Sequence, residues 1–352
     1  MSALNQLFIA ATGMITPVGF NTAMTHAAVQ AGINVYERGS YCNGNVEALT
    51  MTQVPDDALP PLAAPLIDVL GLTARQARML QLAAPAIEQI YQQMAELPNT
   101  DISAPMAVFL AGPEPIPNAP LPIRSIFLKH LQCQIEKPID LDNSKVFPMG
   151  RAGAFFALES AFQYLQTSSQ PFALVGGVDT FWHATTLSKF MQDKRVKTEA
   201  GGADCFVPGE GAGFILLSKQ ALSPNNRAIT RPGLAAEEGH RYSDEPYLGN
   251  GLAQAFTEAV GFANIMPENN IKAIYSSLNG ELFGGKEFGV AQVRNAKVIS
   301  PEANHQHPAD CYGDLGAATG PVLLALAALN SAKPSICYGS SDDEFRGAAC
   351  VV

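Results

Sequence analysis

Two short stretches decide the reading: Gly150-Arg151-Ala152-Gly153-Ala154 and Gly313-Asp314-Leu315-Gly316-Ala317. Both have the form G-x-x-G-A. Each opens a segment with apolar residues on every side of a helical wheel, Gly153 to Leu165 and Gly316 to Leu329. A helix apolar all round belongs in a core, packed on more than one face. Such a motif, repeated at corresponding places in two mixed segments, argues for an internal duplication.

Working outward, the chain alternates strand and helix patterns. Leu7 to Thr12 reads as a buried strand ending at Gly13, and Thr22 to Gln30 as a helix. Residues 40–66, Pro-rich in their second part, read as irregular surface loops. From Thr73 to Met94, Leu80, Leu82, Ala83, Ile87 and Ile90 recur at near-helical spacing, with Thr73 as N-cap. Pro105 to Ala111 and Phe172 to Asp179 read as strands, the second with a glycine turn. Val207 to Leu217 reads as a glycine turn feeding a strand, and polar Ser223 to Arg231 as the link between halves. Strand-like Ala273 to Ser276 and helical Gly316 to Leu329 continue the alternation, which is that of layered α/β folds.

The 352 residues are 47% hydrophobic and only 15% charged, enough apolar material for a large core. No run approaches the ~20 apolar residues of a membrane-spanning helix. Met1 to Gln6 lacks the basic start and apolar stretch of a signal peptide, so the expectation is a cytoplasmic protein, off the membrane. A net charge of −10 argues against nucleic acid as a partner. Cys42, Cys133, Cys205, Cys311, Cys337 and Cys350 form no C-x-x-C pair and read as buried thiols rather than a disulfide frame.

Three segments together resemble the beta-ketoacyl-acyl-carrier-protein synthases of the thiolase superfamily. They are Ala11-Thr12-Gly13-Met14-Ile15-Thr16-Pro17-Val18-Gly19; the middle run of Leu174 to Thr180, Arg195 to Glu199 and Phe206 to Leu217; and Gly313 to Gly320. The resemblance implies an α/β, thiolase-like fold of two duplicated α/β halves in a five-layer αβαβα arrangement. We expect the halves at 1–222 and 223–352, in a homodimer.

A ketosynthase needs a thiolate at a helix N-terminus, where the dipole and free N–H groups lower its pKa, and two histidines beside it. The resemblance puts Arg151 in the thiolate's place, Asn279 and Asp314 in those of the histidines, and Ala309 in that of a nearby lysine. Its glycine-phenylalanine gate becomes Tyr338 to Asp343. None of these positions keeps its chemistry. Arginine at a helix start needs an anion, and Asp314 stands at the other motif, so an Arg151–Asp314 ion pair is expected.

Other readings are sharper. Arg151 can hold a carboxylate or phosphate in a remnant acyl pocket, with Asn279, Glu281 and Asp314 as further ligand contacts, against the plainer reading that Asn279 and Glu281 satisfy backbone groups of their own turn. Cys311 is a candidate relocated nucleophile, against the plainer reading of a buried inert thiol; Cys205 is weighed likewise. His305, His307, Asp310 and Cys311 have donor atoms for zinc, but two close histidines in a polar loop read as solvated, and no metal or cofactor is expected. Gly209 to Gly213 lacks the Lys-Ser/Thr of a phosphate loop and reads as a structural turn. Trp182 lines either a dimer interface or a pocket.

The function expected is a ketosynthase homologue without condensing activity, a dimeric binding or assembly component with a protein or acyl-type partner. The resemblance also brings in type VI secretion, near whose genes some short relatives are encoded. The alternatives are an acyltransferase or thioester hydrolase rebuilt around Cys311, Asp314, Asn279 and Glu281, and a sensor binding a small anion at Arg151.

Overall fold

The computed structural model describes residues 4–44, 47–97, 103–117 and 120–352. Its first part carries β1 (Gln6–Ile15), α1 (Thr22–Gln30), β2 (Glu37–Cys42), β3 (Ala48–Met51), α2 (Ala74–Ala95), β4 (Val108–Ala111), α3 (Ile126–Ile135), β5 (Lys145–Phe147), α4 (Gly153–Thr167), β6 (Phe172–Thr180), α5 (Ala184–Gln192) and β7 (Glu210–Ser218). The second carries β8 (Arg227–Thr230), β9 (Gly233–Ala236), α6 (Asn250–Phe262), β10 (Ile271–Tyr275), α7 (Leu282–Arg294), β11 (Ile299–Gln306), α8 (Ala309–Tyr312), α9 (Thr319–Leu329), β12 (Ser335–Ser340) and β13 (Phe345–Val351).

The strand path β5-β4-β6-β7-β1 is repeated as β11-β10-β12-β13-β8, and β1–β8 pairing joins them into one sheet. The pairings repeat too. β4 is parallel to β5 and β6, with β7 antiparallel to β6 and β1. β10 is parallel to β11 and β12, with β13 antiparallel to β12 and β8. The division at 222/223 that we propose leaves each path within one half.

Three apolar clusters stack these elements into five layers. Leu80, Ile87 and Phe127 of α2 and α3 cover one face of the first path, against Val108, Leu174 and Phe214. Phe155 and Leu158 of α4 and Leu323 of α9 fill the middle, touching strands of both paths through Val175, Ile215, Tyr275 and Cys337. Leu252, Phe256 and Ala291 of α6 and α7 cover the second path's far face over Ile274, Ile336 and Cys350. This is the thiolase-like αβαβα arrangement. α9 is buried over nearly its whole length, as its all-round apolar pattern requires.

α2 starts as expected: Thr73 accepts the Gln76 N–H and Gln76 answers to the Thr73 N–H, a capping box. Four expectations need correction. Residues 40–66 are not wholly irregular, since β2 and β3 pair as a hairpin and Leu49 and Met51 enter a small core with Phe181, Phe190 and Phe206. Glycines 211 and 213 lie inside β7 rather than in a turn; a Cβ on Gly213 would stand 2.8 Å from Val322 of α9, so it permits close helix–sheet contact, and one on Gly211 would stand 2.8 Å from the Ile15 carbonyl of β1. Ser223 to Arg231 is no plain link, because Ala228, Ile229 and Thr230 are buried as β8 and bridge the two paths.

The fourth correction concerns the repeat itself. Each buried helix is preceded by one 3₁₀ turn, Gly150–Ala152 before α4 and Gly316–Ala318 before α9. Gly150 (φ 57°) and Gly316 (φ 53°) occupy the left-handed region that opens each turn. A Cβ on Gly177 would lie 2.2 Å from the Ala317 carbonyl, and one on Gly339 would lie 2.2 Å from that of Arg151. The true register therefore matches Gly150 with Gly316 and Arg151 with Ala317. Asp314 corresponds to Pro148, three residues off the alignment read from G-x-x-G-A.

Candidate functional site

Arg151, at the start of α4, is the centre of a buried ionic cluster. Its Nε donates to Asp314 Oδ2 at 2.8 Å, its Nη2 donates to the same oxygen, and its Nη1 reaches Asp342 Oδ1 at 3.3 Å. Asp314 comes from the turn before α9, Asp342 from the β12–β13 loop. The Arg151 side chain is 9% exposed and that of Asp314 2%, so the pair is shielded from water. Asp314 Oδ1 accepts the Gly316 N–H at 2.8 Å, which fixes its carboxylate.

Arg195, from the loop after α5, extends the cluster. It makes a bidentate pair with Glu281, 2.8 Å on each arm, and reaches both Asp342 oxygens at 2.6 and 3.0 Å. Its guanidinium also lies 4.9 Å from the Phe190 ring centre. Arg241 reaches Glu281 at 3.1 Å. Asn279 Nδ2 donates to Asp314 Oδ2 at 2.9 Å and to Glu281 at 3.1 Å. Loops from both halves thus meet here, and Arg151, Asn279, Glu281 and Asp314 are brought together.

Glu114, from the loop after β4, completes it by accepting the Asp342 N–H at 3.0 Å and the Asp343 N–H at 2.5 Å. Burial, and then the Asp342 charge, push its carboxyl up to about 8. With Glu114 protonated at neutral pH, the guanidiniums of Arg151, Arg195 and Arg241 face the carboxylates of Asp314, Asp342 and Glu281 in balance. Burial alone would also raise Asp342, but Arg195 and Arg151 outweigh it and hold that carboxyl below the usual carboxylate range. Against its own burial, Arg151 is held well above its ordinary value by Asp314 and Asp342.

The other candidates lie apart. Cys311 is 5% exposed on α8, outside the clefts beside Arg151. Burial and then Asp310 push its thiol up, the reverse of what a nucleophile needs. Ala309 accepts the Tyr36 hydroxyl at 2.6 Å and the Gly313 N–H at 2.8 Å on its carbonyl. Cys205 donates to the Lys194 carbonyl. His307 Nδ1 is 2.7 Å from Ser276 Oγ, and no group of His, Cys, Asp and Glu among the described residues is placed to hold a metal. Trp182 is half-buried and donates to the Thr52 carbonyl at 2.9 Å.

Arg195, Arg241 and Glu114 were not assigned to the site by the sequence reading. Arg195 stood there only as the first residue of a segment that carries the resemblance; the signal for the other two was their charge in a chain where charge is scarce.

Residues 151–222 match the family model described as beta-ketoacyl synthase, N-terminal domain. Among solved structures, the chain is similar to the oxazolomycin ketosynthase domain of Streptomyces albus: 10% identity, TM-score 0.75, covering 99% of this chain and 74% of that one. It is also similar to a ketosynthase in complex with its chain length factor from Xenorhabdus doucetiae: 16% identity, TM-score 0.71, covering 100% and 98%. The ishigamide ketosynthase/chain length factor gives 15% identity and TM-score 0.73, covering 99% and 98%. No curated protein sequence matches. The solved structures show a thiolase-like ketosynthase fold, and residues 151–222 are similar to the N-terminal domain of the beta-ketoacyl synthases. No helix among the described residues is long and apolar enough to cross a membrane.

Proposed function

We propose that the chain is a ketosynthase homologue that has lost condensing activity and acts as a binding or assembly subunit. The observation that carries this reading is Arg151. At the start of a buried helix, where the resemblance calls for a thiolate, stands a guanidinium held by Asp314 and Asp342. A guanidinium is no nucleophile, and carboxylates paired to arginines are poor bases. Asn279 can donate a hydrogen bond but cannot shuttle a proton. Glu114 holds a labile proton, but among the described residues that line the cleft beside it none is an activated nucleophile.

Partnership is supported by neighbours solved as a ketosynthase with its chain length factor. We infer that this chain pairs in the same manner, with a second copy or a ketosynthase-like partner, in the cytoplasm. The type VI secretion setting rests on the resemblance alone. A decarboxylation assay with a malonyl thioester, run with light scattering on the same sample, tests the reading. We expect no CO2 above the background, and steady CO2 release overturns the reading; a mass above that of one chain points to pairing with a second copy, and a single chain to pairing with a ketosynthase-like partner.

A further inference from the structure

The cleft beside Arg151 shares Arg75 and Glu114 with a larger cavity of about 280 Å³. Ile116, Leu121 and Pro122 give that cavity an apolar side, and His183 and the start of α5 give it a polar one. A dry cavity of roughly 150 Å³ takes a benzene ring, so this one has room for a ring and a head group. Glu114 is the only carboxyl among the described residues of its walls, and burial keeps that carboxyl protonated at neutral pH. No fixed negative charge therefore faces the space.

The polar side is rich in hydrogen-bond donors. Arg75, only 9% exposed, donates from Nε to the Thr180 carbonyl at 3.0 Å, from Nη1 to Thr186 Oγ at 3.2 Å and from Nη2 to Asp179 at 2.8 Å. Two of its five N–H groups remain unused among the described residues. Asp179 does not serve Arg75 alone, since it also accepts the Thr180 and Ala317 N–H groups. Thr186 Oγ accepts from Arg75, and His183 Nδ1, 2.9 Å away, is the acceptor for its O–H. Burial, and then the Arg75 charge, hold His183 below its ordinary value, so the neutral ring carries its proton on Nε2, another donor without a described partner. Thr185 and Thr186 of α5 line the same side, and no side chain caps that helix's first turn. Its N–H groups and dipole, like the unused donors of Arg75, favour an anion. One guanidinium shared with Asp179 suits a single negative charge, and the apolar side suits an uncharged body.

We propose that this cavity, in a chain read above as a binding component, holds a small monocarboxylate with an apolar body, its head at Arg75, His183 and the start of α5. The test titrates benzoate, benzamide and inorganic phosphate into the isotope-labelled full chain, followed by NMR. Benzoate is expected to saturate at millimolar concentration or below, as so few heavy atoms allow. Benzamide lacks the charge and phosphate lacks the apolar body, and each binds at least about tenfold more weakly. His183→Phe removes the Nε2 donor and weakens benzoate about threefold or more. Ile116→Trp fills the apolar side and abolishes its binding; the remaining signals of each variant verify the fold. No saturable shift, equal binding of benzamide or phosphate, or unchanged affinity in both folded variants overturns the proposal. The probes carry no thioester, so these failures are distinct from CO2 release, which overturns the reading beneath.

Discussion

Asp179 and Ser341 stand in corresponding places, each closing the start of the opposite half's buried helix. Asp179 Oδ2 accepts the Ala317 N–H at 3.1 Å, and Ser341 Oγ accepts the Ala152 N–H at 3.1 Å. Each strand that follows one buried helix therefore reaches across to the other. Asp179 is itself held by Arg75 at 2.8 Å, while Ser341 donates to the Met149 carbonyl. The exchange makes one structural unit of the two halves, and the Arg151 cluster forms where they cross.

That crossing leaves no room at its glycines. Gly177→Ala or Gly339→Ala would drive a methyl into a backbone carbonyl at the opposite helix start. Overpacking of this kind costs about 1–3 kcal/mol or more. Urea denaturation midpoints should fall clearly in both variants, against little change for Gly261→Ala at an open helix position.

Breaking the central ion pair on one side should be costly. Arg151→Met leaves Asp314 without its guanidinium, a loss of about 3–5 kcal/mol. Pairing Arg151→Met with Asp314→Leu should recover much of it, because the orphan charge goes too. A double-mutant cycle on unfolding free energies checks this.

Stability should fall from mildly acidic to mildly alkaline pH. Glu114 sits at about 8 when folded against an ordinary 4.5, so the folded chain keeps a proton that the unfolded chain releases. Its contribution is full below the ordinary value and is lost as pH rises towards about 8, on the scale of a few kcal/mol at most. Asp342 acts in the opposite sense and in a separate window, losing its contribution only as pH drops below its ordinary 3.8. Denaturation midpoints from about pH 5 to about pH 8 should slope downward, and Glu114→Gln should flatten the slope.

Thiol reactivity should follow exposure. Cys42 is exposed, whereas Cys311, Cys337 and Cys350 are buried, with burial the leading cause that raises each thiol. A thiol reagent should modify Cys42 quickly in the native chain and these three only after unfolding.

Much of the fold was legible because buried helices and strands announce themselves by unbroken apolar runs; α1, α2, α4 and α9 lie close to where their patterns put them. β2 was hidden because its polar, partly exposed residues carry no such run, and β3 because its buried run is only four residues long. The repeat was legible but its register was not. Gly313 also has a positive φ, 75°, so both glycines suit a turn and only their place before the helix tells them apart. Arg151 and Asp314 could be paired from sequence because opposite charges stand within a few residues of two buried helix starts, although the motif alignment that matched them is three residues out of register. Arg195 and Glu114 could not, since they reach the cluster from loops whose path nothing local fixes.

Intact-mass spectrometry of the native chain after incubation with a short-chain acyl thioester reads the central claim. With a guanidinium rather than a thiolate at the head of α4, we predict no stable acyl adduct within the cluster, and none on Cys311. A mass gain of one acyl group that maps to Cys311 would contradict the account.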